Sequence, residues 1–200
     1  MTAPRPYHHG NLRTALLQAA ERAVEAGGTE SVSLRELSRA LGVSHTSPRR
    51  HFAGRQALLD ALATSGFDRF EAALGRAVRP QGRASFKTRL TRLAQAYITF
   101  ALKHPALFAL MFEAKHRADA PPELLAASSQ AFAHGPALFA EGQAAGEVVA
   151  GDPGRLSLVV FAALQGLVTI STNGRFKEID LDTLAKESIE WIISGICPRK

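Results

Sequence analysis

Residues 33–52, SLRELSRALGVSHTSPRRHF, contain two short helix signals separated by a glycine turn. Ser33 and Glu36 have the spacing of a capping box, in which the hydroxyl and the carboxylate each accept an amide hydrogen bond at a helix start. Gly42 ends that helix, and a third short helix is predicted over about Ser44–His51. Two short helices joined by a tight turn that contains glycine are typical of a helix-turn-helix.

The rest of the chain also has helical periodicity, and no segment alternates in the manner of a strand. A first helix is predicted over about residues 11–26 because Leu12, Leu16, Ala20 and Val24 share one face. The sequence therefore predicts an all-α fold of about nine helices, with a three-helix N-terminal domain (1–54) and a larger helical bundle (55–200). The later helices are predicted over about 55–77, 86–104, 105–112, 122–146 with a kink at Gly135-Pro136, 155–173 buried on most faces, and a last one capped by Asp180 or Asp182.

Positive charge is concentrated at the start of the chain. Residues 1–55 contain eight arginines and four glutamates, so this segment carries +4 of the net charge of +6. A basic segment on a nearly neutral body favours a polyanion as its partner. A solvated surface that keeps the protein soluble explains the same charge equally well.

Several classes of protein are disfavoured. Cys197 is the only cysteine, which excludes a disulfide framework and fits a reducing compartment. The longest apolar stretch, Leu156–Ile170, falls short of the ~20 residues of a membrane span, so we expect a cytoplasmic protein and no membrane partner. No phosphate-binding loop, metal-binding spacing or nucleophile motif occurs, so no catalytic, metal or cofactor site is predicted and an enzyme is disfavoured.

The predicted third helix has the composition of a recognition helix. It presents hydroxyl, imidazole and guanidinium groups, which can reach base edges and phosphates in the major groove of DNA. An ordinary pair of packed helices has the same shape, so the turn alone does not establish DNA binding. The outward-facing residues are Ser44, His45, Thr46, Ser47, Arg49 and Arg50.

These features together resemble the TetR family of bacterial transcriptional regulators. The resemblance covers residues 7–62, with the glycine stop after the first helix, the turn Gly42-Val43-Ser44 and the pair His51-Phe52 followed three positions later by a basic residue. Residues 97–112 and 145–170 resemble the C-terminal domain of a subgroup named for a Trp-His-Gly signature. In that signature Phe161 replaces Trp, Gln165 replaces His and Gly166 is kept.

Three positions depart from the family pattern. Arg49 stands where an aromatic residue, usually Tyr, is common, and it can pair with a phosphate or reach a guanine. Pro48 replaces the commoner Leu, and we expect it to hold Ser47 in an extended backbone and to distort the recognition helix. Arg55 stands where the family has Lys and retains the charge. These changes affect the expected operator sequence more than DNA binding itself.

The resemblance implies an interface with double-stranded DNA. His45, Thr46 and Ser47 are expected to contact bases, and the arginines to contact the backbone, while His51 is either a backbone contact or a packed structural histidine. Ser33 and Ser44 are helix caps whose neighbouring amides can face phosphates, or caps alone. Arg5, Tyr7, His8 and His9 form a flexible arm, either on the DNA or without a function. The candidate DNA-binding residues are Ser33, Ser44, His45, Thr46, Ser47, Arg49, Arg50, His51 and Arg55.

The resemblance also implies that residues 55–200 bind an unidentified small-molecule effector and form a homodimer. The predicted function is a ligand-responsive repressor at a pseudo-palindromic operator; the alternative is a helical ligand-binding module with only non-specific DNA binding. Each aromatic named here fits a filled core as well as a ligand pocket, and Asn173 is a further polar candidate. The candidate effector residues are Tyr97, Phe100, Phe108, Met111, Phe112, Phe132, Phe161 and Gln165, and the candidate dimer residues are Leu158, Ala162, Gln165, Thr169, Ser188, Trp191 and Ile192.

Overall fold

The computed structural model describes residues 12–79, 82, 84–172 and 181–197, and in these residues it contains helices, turns and loops but no strand. The all-helical prediction is confirmed, with eight α-helices in place of about nine. Short 3-10 turns occupy Thr29–Ser31 and Pro48–Arg50. The helices are α1 (Leu12–Gly27), α2 (Leu34–Ala40), α3 (Arg55–Val78), α4 (Phe86–Lys103), α5 (Pro105–Lys115), α6 (Pro122–Ala144), α7 (Pro153–Thr172) and α8 (Leu181–Ile196).

The chain forms two compact units. The first contains residues up to Gly66 together with Ala106–Leu125, and the second contains Phe67–Pro105 together with the residues from Ala126 onward. Each unit is a set of residues that pack together, and its bounds do not show which residues bind DNA or an effector. The division at residue 54 therefore stays a prediction.

The core of the first unit is built on the predicted stripe of α1. Leu12, Leu16, Ala20 and Val24 are all buried, as their spacing of four residues requires. This face of α1 packs against α2 and against the turn Pro48–Arg50. The stripe therefore positions the segment on which DNA binding was predicted.

Two helices approach closely at Gly66 in the first unit. A Cβ atom at this position would lie 2.7 Å from the Sδ atom of Met111, which is itself fully buried. Glu25 of α1 accepts a hydrogen bond of 3.3 Å from the Leu107 amide at the start of α5. Met111 is thus a core residue of this unit.

A largely buried ion pair joins α3 to the loop after α5. Arg117 Nη1 lies 2.6 Å from Asp60 Oδ1, and Gln56 donates to the same oxygen at 3.0 Å. Asp60 is buried, whereas Asp119, the second partner of Arg117, is exposed. The hydrogen bond from Arg117 holds the pKa of Asp119 below its usual value. The carboxylates of Asp60 and Asp119 raise the pKa of Arg117.

Aromatic rings fill the centre of the second unit. The Phe70 ring lies 5.3 Å from that of Tyr97 and 5.0 Å from that of Phe100, and the Phe132 ring lies 5.0 Å from that of Phe161. Most of these pairs are edge-to-face, the arrangement that places a ring edge on the negative face of its neighbour. The aromatic residues thus join α3, α4, α6 and α7.

As predicted, α6 continues through Gly135-Pro136; it ends at Ala144, with Pro136 inside the helix. Gly135 allows a close approach to α7, because a Cβ atom there would overlap with the Ser157 hydroxyl. The lack of a side chain at Gly135 therefore determines how tightly these two helices pack.

The prediction that α7 is buried on most faces is wrong for the single chain. Leu158 and Val159 are each 60% exposed, and Ile170 is also exposed. Apolar composition all round a helix predicts burial but not which partner provides it. By length and composition alone residues 153–171 could also cross a membrane, contrary to the expectation from Leu156–Ile170, but the core helix of a soluble protein meets the same criterion.

Some predictions fall outside the described residues: the arm residues Arg5, Tyr7, His8 and His9, the break at Pro80-Gln81, Asn173, and the proposed cap Asp180. Asp182, the alternative cap, is the second residue of α8, which begins at Leu181.

The Asp60–Arg117 pair should stabilise the first unit far more than the exposed pair of the same arginine. We expect Asp60→Asn to lower the free energy of unfolding by about 1.5–3 kcal/mol, because a buried charged hydrogen bond is lost. Asp119→Asn, the same change on the exposed partner, should alter it little. Urea denaturation of the two variants compares them directly, and equal effects would contradict the importance of the buried pair.

Candidate nucleic-acid interface

The turn after α2 is closed by backbone hydrogen bonds. Val43 N–H donates to Ser38 O at 3.0 Å and Gly42 N–H donates to Arg39 O at 3.2 Å. This pair of bonds is typical of the Schellman motif, which requires a left-handed residue just after the helix. Gly42 has φ +66°, so the glycine predicted to end the helix does so for a conformational reason.

The segment that follows the turn, residues 44–51, is here called the recognition segment, and it is not the predicted α-helix. It is a turn followed by the 3-10 turn Pro48–Arg50. Pro48 has no N–H and cannot donate to Ser44 O, so the bond that would continue an α-helix is missing. Ser47 N–H donates to Ser44 O and Arg50 N–H to Ser47 O, at 3.0 and 3.2 Å.

The distortion expected from Pro48 is therefore present, but the predicted extended backbone at Ser47 is wrong. Ser47 has φ −60° and ψ −44°, which is helical. Steric preference before a proline opposes this conformation. It coincides with a hydrogen bond of 2.8 Å between the hydroxyls of Ser47 and Ser44, and with the burial of Pro48 in the core.

The predicted capping hydrogen bonds are absent at Ser33 and at Ser44. Ser33 precedes α2 in an extended conformation, but its side chain makes no capping hydrogen bond, so the capping box with Glu36 is not formed. The Ser44 hydroxyl bonds to the hydroxyls of Thr46 and Ser47 instead of capping a helix. These hydroxyls link the exposed side of the recognition segment.

Burial divides the recognition segment into two faces. Pro48 and the following Phe52 are buried, and Arg13 of α1 lies with its guanidinium carbon 5.5 Å from the centre of the Phe52 ring. His51 is exposed, which does not fit a packed structural histidine. Ser47 is half-buried, and the exposed hydrogen-bonding residues of the segment are Ser44, His45, Thr46, Arg49, Arg50 and His51.

Arg55 has a structural role that sequence reasoning missed. Its Nη2 donates to Thr29 O at 2.6 Å and its Nε donates to Val32 O at 3.1 Å. An exposed ion pair with Glu30 adds to these bonds. Arg55 therefore ties the start of α3 to the loop after α1, and its phosphate contact stays a prediction.

Two further arginines lie beside the predicted residues. Arg35 and Arg39 are exposed on α2, four residues apart and hence on one face. Together with Ser33 and His45 they line a surface cleft of about 500 Å³. This basic face could have been predicted from the sequence, because Arg35 and Arg39 are four residues apart on a short predicted helix.

The eight candidate effector residues divide between the two units, and their grouping as an effector site stays a prediction. Phe108, Met111 and Phe112 belong to the first unit, whereas the other five belong to the second. In the second unit the Tyr97 hydroxyl donates to Gln165 Oε1 at 2.5 Å, and burial raises the pKa of the Tyr97 phenol above its usual value. The remaining three, Phe100, Phe132 and Phe161, belong to the aromatic core.

A small internal cavity of about 40 Å³ lies beside Tyr97, Phe132, Phe161 and Ser157 in the second unit. This volume is far below the roughly 300–1,000 Å³ of typical ligand pockets. In this conformation the aromatic side chains occupy most of the space beside Tyr97.

The candidate dimer residues lie on α7 and α8, and several are exposed. Trp191 is 65% exposed and Leu158 60%, with Ala162 and Thr169 also exposed. Gln165, Ser188 and Ile192 are half-buried. An exposed tryptophan beside exposed aliphatic side chains is unusual for a monomer surface.

The sequence matches two family descriptions. Residues 16–62 match "Bacterial regulatory proteins, tetR family", and residues 90–196 match "Tetracyclin repressor-like, C-terminal domain". No curated protein matches the chain.

The fold of this chain is similar to that of several solved structures over nearly its whole length. A protein of unknown function from Rhodococcus sp. RHA1 is 40% identical with a TM-score of 0.90, covering 98% of this chain and 100% of its own. PfmR, a TetR family transcriptional regulator from Thermus thermophilus, is 18% identical with a TM-score of 0.70, covering 90% and 97%. A putative transcriptional regulator from Saccharomonospora viridis, in complex with choline, is 18% identical with a TM-score of 0.75, covering 95% and 100%. The last two show likeness of fold alone.

Arg49 and Arg50 should each contribute to the electrostatic part of DNA binding. We expect Arg49→Gln and Arg50→Gln to weaken binding to a random-sequence duplex and to lower the slope of log Kd against log salt by about one each, because one phosphate contact is lost. Arg155→Gln, an exposed arginine of α7, is the charge-matched control. Unchanged slopes in both variants, measured by fluorescence anisotropy, would place the DNA elsewhere.

Proposed function

This chain belongs to the TetR family of bacterial transcriptional regulators, and we propose that it is a repressor that binds a pseudo-palindromic operator as a homodimer and responds to a small molecule. It is a DNA-binding regulator. The exposed face of the recognition segment carries the proposal, since its apolar side chains are buried and its hydrogen-bonding groups face outward.

In this proposal, each part of the recognition segment has a separate task. His45, Thr46 and Ser47 contact base edges, while Arg49 and Arg50 pair with phosphates, or in the case of Arg49 with a guanine. The hydroxyl bonds among Ser44, Thr46 and Ser47 limit the number of conformations that DNA binding would have to order. A rigid segment loses less conformational entropy on binding.

The exposed apolar side chains of α7 and α8 support a homodimer. Leu158 and Trp191 are largely exposed in the single chain, and α7 packs against α8. Two such helix pairs related by a twofold axis form a four-helix bundle that buries these side chains. A dimer presents two recognition segments, whose half-sites we expect about 34 Å apart or a multiple of this distance.

The effector response is proposed to involve the cavity beside Tyr97. The cavity is too small for an ordinary effector, so a ligand there must favour a second, more open conformation. The regulator from Saccharomonospora viridis, with a similar fold, was solved with choline, which supports a small molecule as the effector class. The buried pair of Tyr97 and Gln165 supplies polar groups that fix its orientation.

The alternative, a ligand-binding module with only non-specific DNA binding, is favoured by one observation. The recognition segment contains a 3-10 turn where an α-helix was expected, and a shorter helix offers fewer side chains to the major groove. That alternative predicts affinity that depends on salt but not on sequence.

Regulators of this family are typically not enzymes, and we propose no catalytic activity or cofactor. In the described part of the chain no cluster of metal-ligating side chains occurs. We place the protein in the cytoplasm, where its operator would be.

Selection of bound fragments from sheared genomic DNA tests the repressor proposal. We expect the full-length protein to recover one short inverted repeat, and Arg50→Ala to lose it, because the lost phosphate contact weakens operator binding and the register of the protein on the duplex. Arg155→Ala should recover the same repeat. Random fragments from all three proteins would favour the non-specific module.

The dimer proposal is tested by placing a charge on the exposed face of α7. We expect Leu158→Glu to sediment as a monomer in analytical ultracentrifugation, because a charge buried without a partner destabilises the interface. Leu102→Glu, at another exposed leucine on α4, should leave the assembly unchanged. Wild-type protein that sediments as a monomer would overturn the proposal.

A further inference from the structure

A basic groove lies between α3 and α4 in the second unit. The helices run in opposite directions, since Arg69 Nη2 lies 3.3 Å from His104 Nε2 at one end and Arg89 Nε donates to Val78 O at the other. The groove between them has a volume of about 680 Å³. This volume is within the range of small-molecule sites and far above that of the cavity beside Tyr97.

The ionisable side chains that line this groove are all basic among the described residues. Its lining includes Arg69, Arg76, Arg92, Lys103 and His104, and no carboxylate lines it within the described part of the chain. Like charges this close raise one another's energy unless a counter-charge lies between them. A lining that contains three arginines and a lysine favours an anion over a cation as its ligand.

Arg92 provides the strongest evidence for a ligand. Its Nη1 is buried, and no acceptor among the described residues lies within hydrogen-bonding distance. A buried guanidinium N–H without a partner is costly, and such groups in native proteins usually mark an ion or another acceptor that the polypeptide does not supply. Arg92 is half-buried and lines the groove, so an anion bound there becomes an acceptor for Nη1 once this side chain turns toward it. A carboxylate has the planar geometry that guanidinium prefers, and a phosphate offers three acceptor oxygens.

The floor of the groove is apolar. Alanines of α3 and α4 line it with Phe100, whose ring lies 5.2 Å from that of His104. Arg69 and Arg76 are seven residues apart on α3, which places them about 10 Å apart along the helix axis. The space between the cations thus suits a compact apolar body, for example an aromatic ring.

We propose that the α3–α4 groove is a binding site for a small amphipathic anion, whose carboxylate or phosphate pairs with Arg92 while its apolar body covers the alanines and Phe100. The site shares no lining residue with the cavity beside Tyr97. Binding here does not depend on DNA, so its failure would be distinct from failure of the repressor proposal.

Calorimetric titration of the full-length protein with three matched probes tests the site: 2-naphthoate, 2-naphthyl phosphate and the neutral 2-naphthalenemethanol. We expect at least one anion to bind about tenfold or more tightly than the alcohol, because only an anion forms charge-assisted hydrogen bonds with the guanidinium groups. Whichever of the two anions binds more tightly shows whether the site prefers a carboxylate or a phosphate. Binding of neither anion at millimolar concentration, or equal binding of all three probes, would overturn the proposal.

Variants locate the binding. Arg92→Gln should weaken anion binding about tenfold or more through the lost charge-assisted bonds, while circular dichroism checks its fold. Arg76→Gln, at an exposed side chain that the fold does not need, should also weaken it and serves if Arg92→Gln does not fold. Arg155→Gln should bind as wild type. Wild-type affinity in the Arg76 and Arg92 variants would exclude this groove.

Discussion

The exposed surface of the recognition segment depends on the burial of Pro48 and Phe52 beneath α1. These two side chains hold the segment in the core of the first unit, and the left-handed Gly42 turns the chain so that they can reach it. With one face fixed by apolar contact, the hydroxyl, imidazole and guanidinium groups of the recognition segment lie on its other side. A regular α-helix is therefore not required, because a 3-10 turn presents the same types of side chain.

Apolar periodicity predicted most of the fold. The stripe of α1 is buried as its spacing indicated, because a four-residue repeat leaves a helix only one apolar face. Local hydrogen bonding was predicted less well. The capping box at Ser33 and the helix at Ser44 both failed, since serine hydroxyls have several competing partners and one missing amide at Pro48 changes the hydrogen-bond pattern.

The candidate sites show what a sequence leaves undetermined. Eight aromatic and polar residues were predicted to bind an effector, and the structure assigns Phe108, Met111 and Phe112 to the first unit and Tyr97 to the second. The arginines of the α3–α4 groove were not predicted as a set, because they come from two helices and have no shared motif. Periodicity identifies the face of one helix, whereas a groove depends on which face of a second helix lies opposite.

The two proposed ligand sites place opposite demands on the protein. A ligand beside Tyr97 must displace packed aromatic rings and can act only by favouring a conformation in which that core is open, so its affinity is reduced by the cost of opening. An anion in the α3–α4 groove meets a cavity that already exists and a guanidinium N–H that already lacks an acceptor. The groove therefore needs less rearrangement for binding. For the same reason, groove occupancy alone changes DNA affinity only if the groove differs between the DNA-bound and free conformations.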